Sequence, residues 1–263
     1  MRRQPALPRR LLSTGNEAAH RRPTDATPLR LRGRRVETAV WTLTHPGTGR
    51  TVTLVGTMHI GDATYFGRLS TVLDRLAADG AEIHVEGISR HDEDRLTDWE
   101  RDRLDEADGW ADAETAGAAV RLLSLESQGA NLRLPDGTRN VDLSHAELLR
   151  GVGWDNYRRL FAIEPAGPPA PGFGPVVRAA VRFQLRHSRA LEDLRSLRPR
   201  NRRVHRVVIG ERNRRAFTGA VEALGRGDVV LVWGTDHLPG LARLFRAAGC
   251  RLRHQEWFRA CRI

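Results

Sequence analysis

The 263-residue sequence predicts an α/β domain: a mixed central sheet flanked by helices, assembled from two pseudo-symmetric strand–Gly-x-x-His–helix halves. Two observations predict it. Gly56-Thr57-Met58-His59 and Gly234-Thr235-Asp236-His237 each follow an apolar, β-rich run, and each precedes an amphipathic helix closed by a glycine. Val229 to Trp233 is continuously apolar, as expected of a strand covered on both faces. A chain of this length can bury one continuous core.

Met1 to Arg35 carries prolines, arginines and small polar residues without periodicity, and reads as a disordered arm ahead of a domain spanning residues 36–263. Val36–Leu43 and Thr51–Val55 flank His45-Pro46-Gly47-Thr48-Gly49, the pattern of a hairpin. After His59, Leu69, Val72, Leu73, Leu76 and Ala77 recur at helical spacing, and Gly80 closes the helix. Glu82–Glu86 is a short strand. Asp92–Asp112 is dense in charge and predicts an exposed, mostly helical insertion with a solvated face. Ala118–Ser127 reads as a helix and Arg139–Leu143 as a strand. Ser144 and Glu147 have the spacing of a capping box. Glu164–Gly174 is a Pro/Gly-rich loop, either linker or lid. Pro175–Arg198 and Val204–Leu224 are helical stretches, the second stopped by Gly225 and Gly227. After His237 a last helix places Leu238, Leu241, Leu244, Phe245 and Ala248 on one side and ends at Gly249; Leu252–Phe258 is the final strand.

The net charge is +11, and all 43 basic residues are arginine. They are spread along the chain, which favours a solvated surface over specific nucleic-acid recognition. No run approaches the roughly 18 apolar residues of a membrane span. The basic start is not followed by an apolar stretch, so the expected compartment is the cytoplasm. Cys250 and Cys261 form no C-x-x-C pair and read as reduced thiols rather than a zinc site.

A glycine permits a sharp turn at the carboxyl end of a strand, and the histidine after it then sits at the sheet edge where α/β proteins bind ligands. A lone Gly-x-x-His is most often structural; two copies in the same context point to a site. If a pseudo-twofold relates the halves, His59 and His237 converge to within about 8 Å, close enough to share an ion. With Glu86 they make two histidines and a carboxylate, a recognised set for a divalent metal with open positions that would acidify a bound water or polarise a carbonyl. A hydrogen-bonded pair without metal is the alternative. Glu86 is either the third ligand or a general base. Asp142 is placed to orient a ligand histidine from behind. His84 is expected to pack in the core or at the edge, and His145 to be exposed on its capped helix.

The paired motifs, with His84-Val85-Glu86-Gly87, Val141-Asp142-Leu143-Ser144, Gly210-Glu211-Arg212-Asn213 and Trp233-Gly234-Thr235-Asp236-His237-Leu238-Pro239-Gly240, resemble the TraB/GumN/Tiki family from about Val36 onward. The resemblance implies an erythromycin-esterase/ChaN-like fold. It implies a centre of His59, Glu86 and His237 with Arg212 beside it, and Glu211 as the other candidate of its pair. It implies a divalent metal (manganese, cobalt or zinc), a peptide or small-molecule substrate, and either peptidase activity or the sequestering of peptide pheromones. A metal-free hydrolase using one histidine as base, like the esterases of that fold, is a further implied reading. Asp236 stands where the family commonly has a small residue, and the basic start leads to the expectation of no export signal like that of the extracellular peptidases.

Overall fold

Alternating apolar residues build a sheet that is covered on both sides. The structure, a computed structural model, describes residues 27–89, 93–111, 125–161 and 199–262, with isolated positions 175, 176 and 179. The expected loop Glu164–Gly174, and most of the expected helices Ala118–Ser127 and Pro175–Arg198, lie outside the described residues.

The strands are β1 (Leu29–Arg32), β2 (Arg35–Thr44), β3 (Thr51–Thr57), β4 (Ile60–Gly61), β5 (Glu82–Val85), β6 (Glu126–Ser127), β7 (Arg139–Asn140), β8 (Val229–Gly234) and β9 (Arg251–Arg262). The helices are α1 (Ala63–Ala78), α2 (Asp98–Ala111), α3 (Gln128–Asn131), α4 (His145–Val152), α5 (Trp154–Phe161), α6 (Pro199–His205), α7 (Arg212–Leu224) and α8 (Leu238–Ala247). The sheet is mixed. β3, β8, β5 and β7 lie side by side and parallel, so their carboxyl ends share one edge. β2 runs antiparallel to β3 over Val40–Thr44, to β1 over Arg35–Thr38, and to β9 along Arg35–Thr44. β4 and β6 form a separate pair.

β8 shows why its sequence is apolar throughout. Leu231 and Trp233 pack with Trp41, Leu54, Ala216, Ala220, Leu238, Leu241 and Phe245, the layer of α7 and α8. Val230 and Val232 pack with Val55, Ile83, Tyr65, Phe66, Leu69 and Leu73, the layer of α1. The two helices that follow the Gly-x-x-His segments therefore cover opposite faces. Each fully buried apolar side chain contributes roughly 1.5–3 kcal/mol to this assembly. A third cluster, around Leu104, Leu148, Leu149, Tyr157 and Val207, joins α2, α4 and α5 beyond the strand ends. Among the described residues no helix is long and apolar enough to cross a membrane.

Four local expectations change. A strand, β1, forms inside the expected arm, because Leu29 and Leu31 find a partner surface around Val36, Leu125 and Cys261. The insertion 92–112 is not merely a solvated face: Leu104 and Ala107 of α2 are buried, and Glu100 is drawn in by Arg150. Glu126–Ser127 pairs as β6 instead of extending a helix. His145 is half-buried, its Nδ1 in contact with the Tyr157 hydroxyl at 2.5 Å. The capping box forms as expected, Ser144 accepting from the Glu147 amide and Glu147 from the Ser144 amide.

Candidate functional site

The four parallel strands deliver their chain exits to one edge. β3 and β8 pair with Gly56 opposite Trp233 and Thr57 opposite Gly234, so the two Gly-x-x-His segments leave the sheet side by side. Gly56 is required there: a Cβ would stand 2.9 Å from the Ala39 carbonyl oxygen and 2.9 Å from Leu238 Cδ2. Beyond the exits the two segments take different local forms. His59 lies in an exposed bend before β4. His237 ends a 3-10 turn, Thr235–His237, and is 3% exposed. Glu86 follows β5, and Asp142 follows β7.

Arg212 occupies the centre. Its Nη2 donates to Glu86 Oε1 at 2.7 Å and to Asp142 Oδ2 at 2.6 Å, its Nε donates to Asp142 Oδ1 at 2.9 Å, and its Nη1 faces His237 Nε2 at 3.3 Å. The guanidinium also lies 5.6 Å from the Trp233 ring centroid. The remaining oxygen of Glu86, Oε2, accepts from the Gly234 amide. Asp142 further accepts from the amides of Gly87 and Leu143. Asp142 thus anchors Arg212 and the loops around it; among the described residues its carboxylate's hydrogen bonds go to Arg212 and to backbone amides, and none goes to a histidine.

A segment with π-helical hydrogen bonding, Arg206–Glu211, leads directly into α7. A π-helical turn is rare and is frequently found at functional sites. Here it rotates Arg212 inward and turns Glu211 outward. Glu211 stands 3.7 Å from Arg214 and 4.0 Å from Arg206 on an open cleft between α4 and α7, so it is not part of the site. Asp236 is exposed on its turn. His84 is buried and bonds Glu82 at 2.8 Å near the opposite end of β5, as core packing requires.

Burial alone would raise the Glu86 carboxyl, but His237, Arg212, the Gly234 amide and His59 outweigh it and hold it below the usual carboxylate range. Glu86 is thereby the group that both histidines face: His237 Nε2 lies 3.6 Å from Oε1, and His59 is among the groups that hold the same carboxyl low. Burial, with the Arg212 cation, pushes the His237 imidazole down to about 4 against the pull of Glu86 and Asp142, so the ring is neutral at pH 7. Desolvation lowers the Arg212 guanidinium, but its two carboxylates more than restore it, and it stays charged.

Asn213, which carried no role in the sequence, is 3% exposed and touches His237 twice: its Oδ1 is 2.7 Å from Nδ1, and its Nδ2 donates to the His237 carbonyl at 3.3 Å. The only signal for it was its position next to Arg212.

The donors do not fit a divalent ion as arranged. Both oxygens of Glu86 are engaged, and the position between Glu86 and His237 is filled by a guanidinium whose charge opposes that of a metal. Among the described residues no cluster of three His, Cys, Asp or Glu groups is disposed to hold one. No family model, curated protein or solved structure matches the chain.

Proposed function

We propose that the chain is a hydrolase of peptide or ester bonds that uses a histidine base at the carboxyl edge of its sheet. One observation carries the reading. An ionised Glu86, expensive to bury, is held by a buried guanidinium at the edge where α/β sheets bind ligands, with one neutral and one exposed histidine acting on it. The motif resemblance to the TraB/GumN/Tiki family, with its esterase-like fold relatives, supports the same reading. So does the exit of β3 and β8 side by side with helices sent to opposite faces, which is what two pseudo-symmetric halves about an axis along the strands would produce.

The roles follow from access. His59 is the exposed histidine and takes the proton from water, while the nearby Glu86 carboxylate stabilises the imidazolium that forms. The hydroxide adds to the carbonyl carbon. Arg212 has five N–H donors, and its contacts leave one Nη1 proton without a partner among the described residues. That proton meets the oxyanion as it develops. Collapse of the tetrahedral adduct expels the amine or alkoxide, which takes its proton from His59. His237, neutral, keeps a lone pair on Arg212 and holds the guanidinium in place. No step runs through a metal, because Arg212 fills the place one would take.

The test is hydrolysis of peptide and ester libraries by the wild type, His59→Ala and Glu86→Gln, with chelator and then with manganese, cobalt or zinc. Loss of about 10² or more in both variants, with turnover surviving chelation, is expected. Glu86→Gln also turns one of two accepted hydrogen bonds into a donor–donor contact, so its folding is measured alongside. Turnover unchanged in both variants removes the mechanism. Turnover lost on chelation and restored by one metal supports the metal-assisted reading instead. Stoichiometric depletion of a peptide without product marks a sequestering protein.

A further inference from the structure

We propose that Asn213 is a positioning residue that fixes His237 as the Nδ1–H tautomer, in a space that only glycine at position 240 leaves open. The hydrogen-bond chemistry allows one assignment. The His237 carbonyl oxygen can only accept, so the Asn213 atom 3.3 Å from it is the Nδ2 amide. The other Asn213 atom, 2.7 Å from His237 Nδ1, is then the carbonyl Oδ1, which can only accept, so Nδ1 carries the proton. From the opposite side Arg212 Nη1 can only donate, and it lies 3.3 Å from Nε2, so Nε2 carries the lone pair. Two contacts from two neighbouring residues of α7 fix the same tautomer independently.

The packing explains why the arrangement holds. Trp233 packs against the His237 ring, with the centroids 5.2 Å apart and the planes near perpendicular. Gly240, in the first turn of α8, faces Asn213: a Cβ there would overlap the Asn213 Nδ2 atom. A neutral imidazole free to exchange its proton would spend part of its time presenting an Nε2–H to the Arg212 guanidinium, donor against donor. Asn213 removes that state. The lone pair therefore stays on Arg212 and beside Glu86, and the guanidinium keeps its remaining Nη1 proton pointed away from His237. The use of that proton in hydrolysis rests on the proposed function; the tautomer does not.

The experiment reads the tautomer without any turnover. Two-bond proton–nitrogen correlation spectra of histidine-15N-labelled protein at neutral pH distinguish protonated from unprotonated ring nitrogens, and the His237 signals are identified by their loss in His237→Gln. The expected result in wild type is a protonated Nδ1 and a bare Nε2. Asn213→Asp keeps an acceptor and retains that pattern. Asn213→Leu shifts the ring toward the Nε2–H form, and Gly240→Ala does the same with Asn213 still in the chain. An Nε2–H or doubly protonated ring in wild type would overturn the proposal, as would a wild-type pattern retained in both Asn213→Leu and Gly240→Ala. Because the wild-type spectrum alone can decide, a variant that fails to fold does not rescue the proposal. Failure of the library digestion leaves it untouched.

Discussion

At the scale of single residues, Arg212 is held by two carboxylates in a place that water barely reaches: its side chain is 7% exposed, that of Asp142 0% and that of Glu86 17%. Removing one partner of such a network leaves the others charged and desolvated. Arg212→Met is therefore expected to cost about 3–5 kcal/mol, read as a lowered urea midpoint. The double variant Arg212→Met with Asp142→Leu should recover part of that loss; recovery of none would show that the Arg212–Asp142 pair is not the main cost. The sequence could not single out Arg212 among 43 basic residues by composition; only its motif did. Nor could it choose between Arg212 and Glu211. Neighbours on a helix point about 100° apart, and the π-helical turn before them shifts the face by a further residue, so helical spacing counted from Val204 misplaces both. His59, Glu86 and His237 were legible because strand ends and glycines mark sheet edges. The partners of Asp142 and Asn213 were not, because they depend on which side chain arrives from elsewhere in the chain.

At the scale of elements, two glycines make opposite predictions from one substitution. Gly56 lies in β3, where an added methyl meets the backbone oxygen of Ala39 and the Leu238 side chain at 2.9 Å. A carbonyl oxygen of the β2 backbone, itself paired along its length with β9, cannot withdraw cheaply, so Gly56→Ala is expected to destabilise by about 1–3 kcal/mol. Gly67 lies inside α1 with nothing within 4 Å of the added carbon. Gly67→Ala is expected to stabilise by roughly 0.4–1 kcal/mol, by restricting the unfolded chain and favouring the helix. Equal thermal shifts for the two would contradict this account. The strands that alternate or run apolar could be read in the sequence, but their ends could not. β9 reaches Arg262 because β2 pairs with it along its whole length, and no local pattern in the polar half of β9 announces that. β7 stops at Asn140, and Asp142 beyond it accepts from the Gly87 and Leu143 amides rather than continuing the strand.

At the scale of the whole molecule, acid should unfold the protein through carboxylates that tie separate layers together. Glu82, at the start of β5, accepts from His84, from Arg139 of β7 and from Arg226 beyond α7. Partial burial opposes ionisation there, but those three partners prevail and bring its carboxyl down to about 2. Glu100 of α2 is held at about 2 by Arg150 of α4, assisted by the Thr97 amide and hydroxyl against its burial. In the unfolded chain a glutamate titrates near 4.3, about two units higher. As pH falls through that interval the unfolded state binds the proton first, so stability is fully present above about pH 4.5 and is lost as pH drops toward 2. His237 acts earlier: its folded value of about 4 lies below the usual 6.5, so the unfolded state again binds the proton first and stability declines between those two values. The two windows separate the contributions. Urea midpoints measured from pH 7.5 to pH 2.5 should fall in two stages for the wild type. His237→Gln should flatten the upper stage, and Glu82→Gln and Glu100→Gln should each flatten the lower one while starting from a lower midpoint at pH 7. Glu82 is partly open to solvent and Arg150 is half exposed, so salt at 0.5 M should weaken the lower stage more than the upper. A lower stage that keeps its full depth in both glutamate variants would place the acid sensitivity elsewhere. Glu86, whose carboxyl is also held low, would then be the group to replace next.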